Sequence, residues 1–392
     1  DAERGTIEIG NHFLFTDLSE FEFRWEQVCG GEFLRGASFY FALAPGKTRL
    51  LELELNRICR QECYLNLSVL LREDTPWAKA GTEIARAQFV SNPMAIGRRF
   101  ARPEKYLTIL ESYGALSIQG ESLCVRFSRR TGQLVSLCRK GQEYLSAPLR
   151  PSFWRACTDN DRGNHMPVRC AVWRFAGQNC IYAPYTVAAQ DAPRGVVRVT
   201  SRFIIPSEPA CDGVLTYTIT QAGVLVELQF QPDGRLPELP EVGVCFETAA
   251  SYESLTYLGR GPQENYSDRQ AAADIGLYNI PIDEMYVPYL RPQENGARTD
   301  VRFASLQGEK RSLRIESVEE TPFTLSVCRW SPEELEAATH EKDLPESGRL
   351  FVRVLARQAG LGGDNSWGAL PQEQHRLPSG RPYQLRFALI PE

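Results

Sequence analysis

The segment GVLTYTITQAGVLVELQF, residues 213–230, contains the pattern that decides the fold. Apolar and polar side chains alternate on both sides of the tripeptide Gln-Ala-Gly at 221–223. A period of two is typical of a β-strand with one buried face. Two such runs joined by a short glycine-containing connection predict an antiparallel hairpin. The apolar positions that would face one core are Leu215, Tyr217, Ile219, Val224, Val226, Leu228 and Phe230.

The same alternation recurs along the rest of the chain and predicts an all-β fold of packed antiparallel sheets. The strand–helix alternation of a (β/α)8 barrel or a dinucleotide-binding fold is missing. One short helix is predicted over 331–340, where Ser331 is the N-cap and Glu334 completes a capping box. The further strand segments lie at 51–55, 65–71, 123–127, 323–327 and 383–389.

Residues 91–112 combine proline, glycine and a basic cluster, which is the composition of a linker. They predict a first domain over residues 1–90 and a second, larger domain over 113–392. The chain begins with Asp1 rather than methionine, so we expect a processed chain or a piece of a longer one.

The composition excludes several classes of protein. The net charge is −5 in 392 residues, which gives no indication of a nucleic-acid partner or a membrane surface. The sequence contains no run of about 18 apolar residues, so no transmembrane helix is predicted. The chain has an odd number of cysteines, eleven, and no C-x-x-C pair. We therefore expect the cysteines to be reduced and the protein to be cytoplasmic.

Cys59 and Cys63 would share one face of a helix, which raises the question of a metal site. The four histidines, at 12, 165, 340 and 375, are scattered along the chain. This spacing does not match a Cys/His metal motif, and we expect no metal on this chain.

The segment LGRGPQENYSDRQ, residues 258–270, contains two carboxylates four residues apart, Glu264 and Asp268. They could be a general acid and base, or they could hold a glycine-rich crossover in place. A catalytic acid needs burial or a negative neighbour to raise its pKa. Arg260 and Arg269 would instead keep both carboxylates ionised, which favours the structural role.

Two polar loops are the other candidates for function. TDNDRGN, residues 158–164, is either a turn closed by its own Asp and Asn side chains or a loop presented to a ligand. GLGGDNSWGAL, residues 360–370, places Trp367 among four glycines. The indole could fill the core, or it could be exposed as a flat apolar platform.

Taken together, these stretches resemble the C-terminal part of the family 2 β-galactosidases. LGRGPQENYSDR is similar to that family's GxGPxENYPDR run, RACTDND to RAPxDND, and GGDNSW to GGDDSW. The segments at 285–296 and 331–340 look like further family segments. Residues 7–26 and 73–89 resemble the family's immunoglobulin-like fourth domain, so the resemblance spans nearly the whole chain.

This resemblance implies an immunoglobulin-like sandwich followed by a galactose-mutarotase-like supersandwich. It also implies a retaining β-galactosidase whose two catalytic glutamates lie on an upstream (β/α)8 barrel. No such barrel is present in this sequence, so we expect no catalytic residue and no cofactor on this chain. The Mg²⁺ and Na⁺ ions that family members often use would lie in the barrel, and the parent enzyme would be a homo-oligomer.

The same resemblance implies that this chain forms the rim of the active site. Trp367 would supply a platform for the C–H face of galactose, and the 159–163 loop would lie near the entrance. Asn365 stands where the family usually has Asp, which removes one carboxylate beside the indole. The residues implied to bind a β-galactoside are Asp159, Asn160, Gly163, Asp364, Asn365 and Trp367.

Two alternatives belong to other classes of protein. A non-catalytic carbohydrate-binding module would use the same indole without any barrel. A sugar epimerase would need a histidine and a carboxylate in one cleft, and His165 is the histidine nearest to a motif.

Overall fold

The computed structural model describes residues 1–56, 59, 61–93, 106–191, 195–318, 321–365 and 367–392. The chain divides into two compact units. The first comprises Asp1–Ile96 with Asp274–Leu277, and the second comprises Gly97–Ala273 with Tyr278–Glu392. Of the predicted linker over 91–112, residues 94–105 lie outside the described residues, and 108–111 form a strand. The predicted domain limits stay a prediction.

The first unit is built from a four-stranded sheet and a two-stranded sheet, both antiparallel. Ile7 from the smaller sheet packs with Trp25 and Leu65 from the larger one, as expected for a sandwich. The strands are β1 (Thr6–Gly10), β2 (Phe21–Cys29), β3 (Glu32–Phe39), β4 (Thr48–Glu52), β5 (Cys63–Leu71) and β6 (Glu83–Asn92). The sheet orders are β3-β2-β5-β6 and β1-β4.

The cysteine chemistry of this unit differs from the prediction. Cys29 and Cys63 form a disulfide, so the expectation that all cysteines are reduced is wrong for this pair. The reason is register, because the two residues are direct partners on adjacent antiparallel strands. Cys63 begins β5, so the expected helix with Cys59 is wrong as well.

Among its described residues, the second unit contains three β-sheets and three short helices. The strands that follow β6 are β7 (Thr108–Glu111), β8 (Ala115–Gln119), β9 (Leu123–Ser128), β10 (Leu134–Arg139), β11 (Gln142–Glu143), β12 (Ala147–Ser152), β13 (Ile181–Tyr182), β14 (Thr186–Asp191), β15 (Val196–Ile205), β16 (Cys211–Ile219), β17 (Val224–Phe230), β18 (Glu241–Ala249), β19 (Ser254–Gly261), β20 (Asp274–Pro281), β21 (Arg298–Val301), β22 (Phe303–Gln307), β23 (Ser312–Ser317), β24 (Phe323–Cys328), β25 (Arg349–Gln358) and β26 (Tyr383–Pro391). Of β20, residues Asp274–Leu277 are grouped with the first unit. The helices are α1 (Asp159–Gly163), α2 (Met166–Arg169) and α3 (Pro332–Ala337). Single 3-10 turns cover Leu18–Glu20, Ala171–Trp173, Ile282–Met285, Glu341–Asp343 and Glu373–His375.

The largest sheet has the order β13-β15-β16-β17-β26-β23-β22-β19-β20, with β14 also paired to β15. The other two have the orders β12-β18-β25-β24-β21 and β11-β10-β9-β8-β7. All three contribute buried side chains to one hydrophobic core. The all-β architecture predicted from the sequence, a sandwich followed by a supersandwich, is confirmed.

The predicted hairpin at 213–230 forms as β16 and β17. Leu215 pairs with Leu228, Tyr217 with Val226, and Ile219 with Val224. All six of these side chains are buried in the core of the second unit. Register is fixed here because a slip of one residue would turn every apolar side chain to the opposite face.

The predicted helix at 331–340 is shorter than expected. Ser331 caps it and Glu334 completes the capping box, as predicted. The helix ends at Ala337, because Ala338 adopts an extended backbone conformation.

Candidate active-site rim

The loop at 158–164 is a short helix rather than an irregular turn. Thr158 is the N-cap of α1, and its hydroxyl accepts a hydrogen bond from the backbone N–H of Asp161. The Asp161 carboxylate accepts in return from the N–H of Thr158, at 2.9 Å. This capping box fixes where the helix begins, and it therefore fixes the positions of Asp159 and Asn160 in the first turn.

A buried ion pair lies beneath α1. Nη1 and Nη2 of Arg155 donate to the two carboxylate oxygens of Asp161 at 2.6 and 3.0 Å. Both residues are only 1% exposed. Nη2 of Arg155 also donates to the backbone oxygen of Gly360, at 3.1 Å, so this guanidinium joins the base of α1 to the start of the 360–370 loop. Sequence reasoning did not single out Arg155 or Asp161, although both lie in RACTDND.

Close backbone contacts dock the 360–370 loop on α1. Nδ2 of Asn160 donates to the oxygen of Leu361 at 3.2 Å. Gly368 has φ +81°, and a Cβ there would lie 2.4 Å from the oxygen of Gly163. Only glycine fits this position, because both the backbone conformation and the available space exclude a side chain. The two predicted loops therefore meet.

The carboxylate of Asp268 holds the same loop from another direction. Its two oxygens accept from the backbone N–H groups of Leu361 and Gly362, at 3.0 and 2.8 Å. These are charge-assisted hydrogen bonds, which are stronger than neutral ones. Asp268 is thus an anchor for the loop, and it links the 258–270 segment to the Trp367 loop.

Trp367 stands at the top of this loop and is 90% exposed. This excludes a role as core filler. Oδ1 of Asn365 accepts from the backbone N–H of Trp367 at 2.9 Å and from that of Ala369 at 3.2 Å. An amide oxygen therefore supports the backbone around the indole at the position where the family usually has Asp. Asp364 is exposed beside it.

The carboxylate of Asp159 also reaches solvent, with its side chain 72% exposed. It pairs with Arg162 at 3.3 Å, and its backbone N–H donates to Oε1 of Gln293 at 3.1 Å. Gln293 belongs to the 285–296 segment, so that segment also contributes to positioning α1. The structure thus brings α1, with Asp159, Asn160 and Gly163, to the loop that carries Asp364, Asn365 and Trp367.

Glu264 has a different environment from Asp268. It is buried and bonded to Arg269 at 3.1 Å, to the N–H of Gly296 at 2.8 Å, and to the hydroxyl of Tyr289. With one carboxylate in this network and the other on backbone amides, the geometry favours the structural role predicted for the segment. The predicted contribution of Arg260 is wrong, because its guanidinium pairs with Asp300 at 2.6 Å.

A second buried cluster of charges, which the sequence did not reveal, lies next to the Gln293 position. Arg353 bonds to Glu241 at 2.6 Å and to Glu294 at 2.7 Å, and all three are buried. Burial raises the pKa of Glu241 to about 7, and the negative charge of Glu294 adds to this rise while Arg353 opposes it. The cluster crosslinks β18 and β25 to the 285–296 segment.

Two other expectations concern groups outside this rim. His165 is exposed and has positive φ, and within the described residues no ion pair joins it to a carboxylate. The described parts of the chain contain one group of three metal-ligating side chains at close range, Cys29, Cys59 and Cys63, in the first unit. In the part of the chain that the structure describes, no helix is both long and apolar enough to cross a membrane.

Comparison with known proteins identifies the family. A family model described as "Beta galactosidase small chain" matches residues 119–389. The chain belongs to this β-galactosidase small-chain family. A second model, for domain 4 of β-galactosidase, matches residues 7–92. The two matches fit the C-terminal portion of a β-galactosidase, as predicted from the sequence.

Two similar proteins match this chain along its whole length. It is 35% identical over 402 residues to a β-galactosidase from Priestia megaterium, covering 100% of this chain and 38% of that protein. It is 30% identical over 393 residues to a β-galactosidase from Streptococcus thermophilus, again covering 100% of this chain and 38% of that protein. The chain thus spans well under half the length of these curated relatives.

Solved structures with a similar backbone include sugar-mutarotase-like proteins. One is a galactose mutarotase-like protein from Lactobacillus casei, with a TM-score of 0.39, 14% identity, and coverage of 71% of this chain and 100% of that chain. Another is galactose 1-epimerase from Lactobacillus acidophilus, with a TM-score of 0.40, 9% identity, and coverage of 74% and 99%. Similarity at this level supports no inference about function.

Proposed function

We propose that this chain is the scaffold and active-site rim of a retaining β-galactosidase that hydrolyses terminal β-galactosides such as lactose. The catalytic barrel, with its two acids and any Mg²⁺ or Na⁺, would be supplied by the rest of the enzyme. The observation that carries the proposal is the exposed indole of Trp367, held on a loop that is docked on α1. The names of the relatives, each a β-galactosidase, support the reaction.

The role proposed for Trp367 is to bind the apolar face of galactose. One sugar face covers about 60 Å² of the ring, worth about 1.5 kcal/mol at about 25 cal/mol per Å². This corresponds to about tenfold in affinity. Asp159, Asp364 and Asn365 would provide polar contacts around the ring, since a few placed polar groups fix ligand orientation in such sites.

Asn160 and Gly163 have a different part in the same proposal. Asn160 holds the loop through its bond to Leu361, and the backbone oxygen of Gly163 lies 2.4 Å from the place that a Cβ on Gly368 would take. Because Asn160 positions the platform, its replacement would weaken substrate binding without removing a direct contact. A Cβ on Gly163 would meet Gly368 at an ordinary contact distance of 3.7 Å, so its part is played by its backbone. A homo-oligomeric parent enzyme completes the proposal and rests on the resemblance alone. A cytoplasmic location rests on the expectation of reduced cysteines, from which the Cys29–Cys63 pair departs.

The test compares Trp367→Ala with a matched control in the full-length enzyme. Trp77 is the control because its indole is 70% exposed, and it lies in the first unit. We expect Trp367→Ala to raise KM for a nitrophenyl galactoside about tenfold, because the platform is lost. Trp77→Ala should leave KM unchanged. Equal KM values for the two variants would remove Trp367 from the site.

Calorimetry on the 392-residue chain distinguishes this function from a free-standing carbohydrate-binding module. The rim proposal predicts no measurable heat with galactose or lactose, because the rest of the site is elsewhere. It also predicts no release of nitrophenol by this chain alone. Saturable binding to the isolated chain, lost in Trp367→Ala, would favour the module.

A further inference from the structure

Three cysteines meet at one end of the first unit. Cys29 ends β2 and Cys63 begins β5, where the two are direct partners in the antiparallel register. Cys59 comes from the segment before β5. The sulfur atoms of all three lie within 4.8 Å of one another. A disulfide requires only two of them, so the third thiol needs its own explanation.

The backbone around Cys59 is held by the end of β6. Nδ2 of Asn92 donates to the oxygen of Cys59 at 3.2 Å and to the oxygen of Gln61 at 3.0 Å. The oxygen of Glu62 accepts from the N–H of Gly30 at 2.9 Å. These bonds hold the backbone of Cys59 close to the Cys29–Cys63 pair, and none of them involves a sulfur atom.

The donor set and its dimensions suit a soft metal ion. Zinc bonds thiolate sulfur at about 2.3 Å in tetrahedral geometry, which places the ligand sulfurs about 3.8 Å apart. The three sulfurs lie within 4.8 Å of one another, which is near this spacing, and reduction frees the bonded pair to adjust. Thiolates are the ligands that select Zn²⁺ or Cu⁺ over hard cations. Cys59 is partly exposed while Cys29 and Cys63 are buried, which leaves an entry path on one side.

We propose that reduction of the Cys29–Cys63 disulfide creates a three-thiolate site for a soft metal ion of the zinc class. A small thiol reductant transfers two electrons and two protons to the disulfide, and it is itself oxidised to its own disulfide. The ion then displaces the protons of Cys29, Cys59 and Cys63 into solvent. A fourth coordination position remains for water.

The site exchanges one crosslink between β2 and β5 for another. In an oxidising environment the disulfide joins these strands, and in a reducing one the metal ion joins them. Disulfides do not normally persist in reducing compartments, so the metal form is the one that suits a cytoplasmic enzyme. Cys59 contributes only to the metal form, and this makes it the diagnostic residue.

The test is a Co²⁺ titration of the 392-residue chain, without oxygen, after reduction by a phosphine that contains no thiol. Cobalt bound by thiolates shows an intense sulfur-to-cobalt absorption. We expect this absorption to saturate at one equivalent and to disappear when Zn²⁺ is added. The oxidised chain should show this absorption only weakly. The reduced and oxidised forms of the wild-type chain can therefore be compared without any substitution. No band in the reduced chain, or an equal band in both states, would overturn the proposal.

Two serine variants locate the site. Cys59→Ser removes one ligand and leaves the Cys29–Cys63 pair. Since loss of a group that only supports a ligand already lowers metal affinity by about tenfold, we expect Co²⁺ affinity to fall by at least about tenfold. Cys138→Ser is the control, since Cys138 is a partly exposed free cysteine of the second unit. It should leave the affinity unchanged. Wild-type affinity in Cys59→Ser, with native circular dichroism, would refute the three-thiolate site.

Discussion

Replacing Asp161 by Asn tests whether the ion pair beneath α1 supports the rim. The carboxylate accepts two bonds from Arg155 and two from Thr158, within 3.0 Å. An asparagine keeps the volume but removes the charge, and its NH₂ group must face one of these donors. Arg155 then stays buried without its bonded carboxylate, and breaking a buried pair in this way costs about 3–5 kcal/mol.

Urea unfolding measures this cost. Trp154 and Trp173 are buried in the second unit, so their fluorescence reports its unfolding. With a slope of about 3 kcal/mol per M, the expected loss lowers the midpoint by about 1–1.7 M. The matched control is Asp159→Asn, two residues away in the same helix. Its side chain is 72% exposed and its ion pair is at the surface, where such pairs contribute at most about 1 kcal/mol, so its midpoint should move by no more than about 0.3 M.

The comparison has a clear refuting result. If Asp161→Asn and Asp159→Asn shift the midpoint equally, the buried pair does not stabilise the second unit. A large loss in Asp161→Asn with no change in the slope supports it, since an altered slope would indicate a different unfolded or native state.

Two further changes test other contacts of the same region. The pKa of Glu241 is raised to about 7 in the folded chain, above its value in the unfolded chain. Protonation of Glu241 therefore stabilises the folded chain at low pH, and this contribution to the free energy of unfolding is lost as the pH rises through 7. The urea midpoint of the wild type should therefore fall between pH 5 and pH 8, and Glu241→Gln should show a smaller fall; parallel pH profiles would contradict this. Gly368→Ala should lower the free energy of unfolding of the chain. The backbone strain at Gly368 costs about 1–2 kcal/mol, and the loss should exceed this because the added Cβ would also clash with the oxygen of Gly163. Gly81→Ala is the control, with φ +83° and no atom within 4 Å of the added Cβ, and an equal loss in both would show that the loop contact has no effect.

The strands were predictable because their signal is local. The alternation in 213–230 gives the pairing of β16 with β17 directly, and the capping box gives the start of α3. The end of α3 was missed, since no proline or glycine in the sequence marks it. These signals need only a few neighbouring residues, and burial of one face then fixes the register.

The buried charges were not predictable in the same way. Arg353 meets Glu241 and Glu294, which lie 112 and 59 residues earlier in the chain. No local pattern indicates such a contact, and the register that pairs Cys29 with Cys63 is equally invisible before β2 and β5 are aligned. Arg155 and Asp161 are close in sequence, but only the fold shows that both are buried.

The exposed indole of Trp367 depends on contacts that hold the backbone of its loop. A side chain that is 90% exposed cannot be positioned by its own packing, so its position depends on the backbone that carries it. That backbone is held by Asn365 beside the ring, by Asp268 at the start of the loop, and by the close approach of Gly368 to Gly163. A preorganised platform loses less entropy on binding than a mobile one. The residues that hold the loop should therefore affect affinity even where they never touch the sugar.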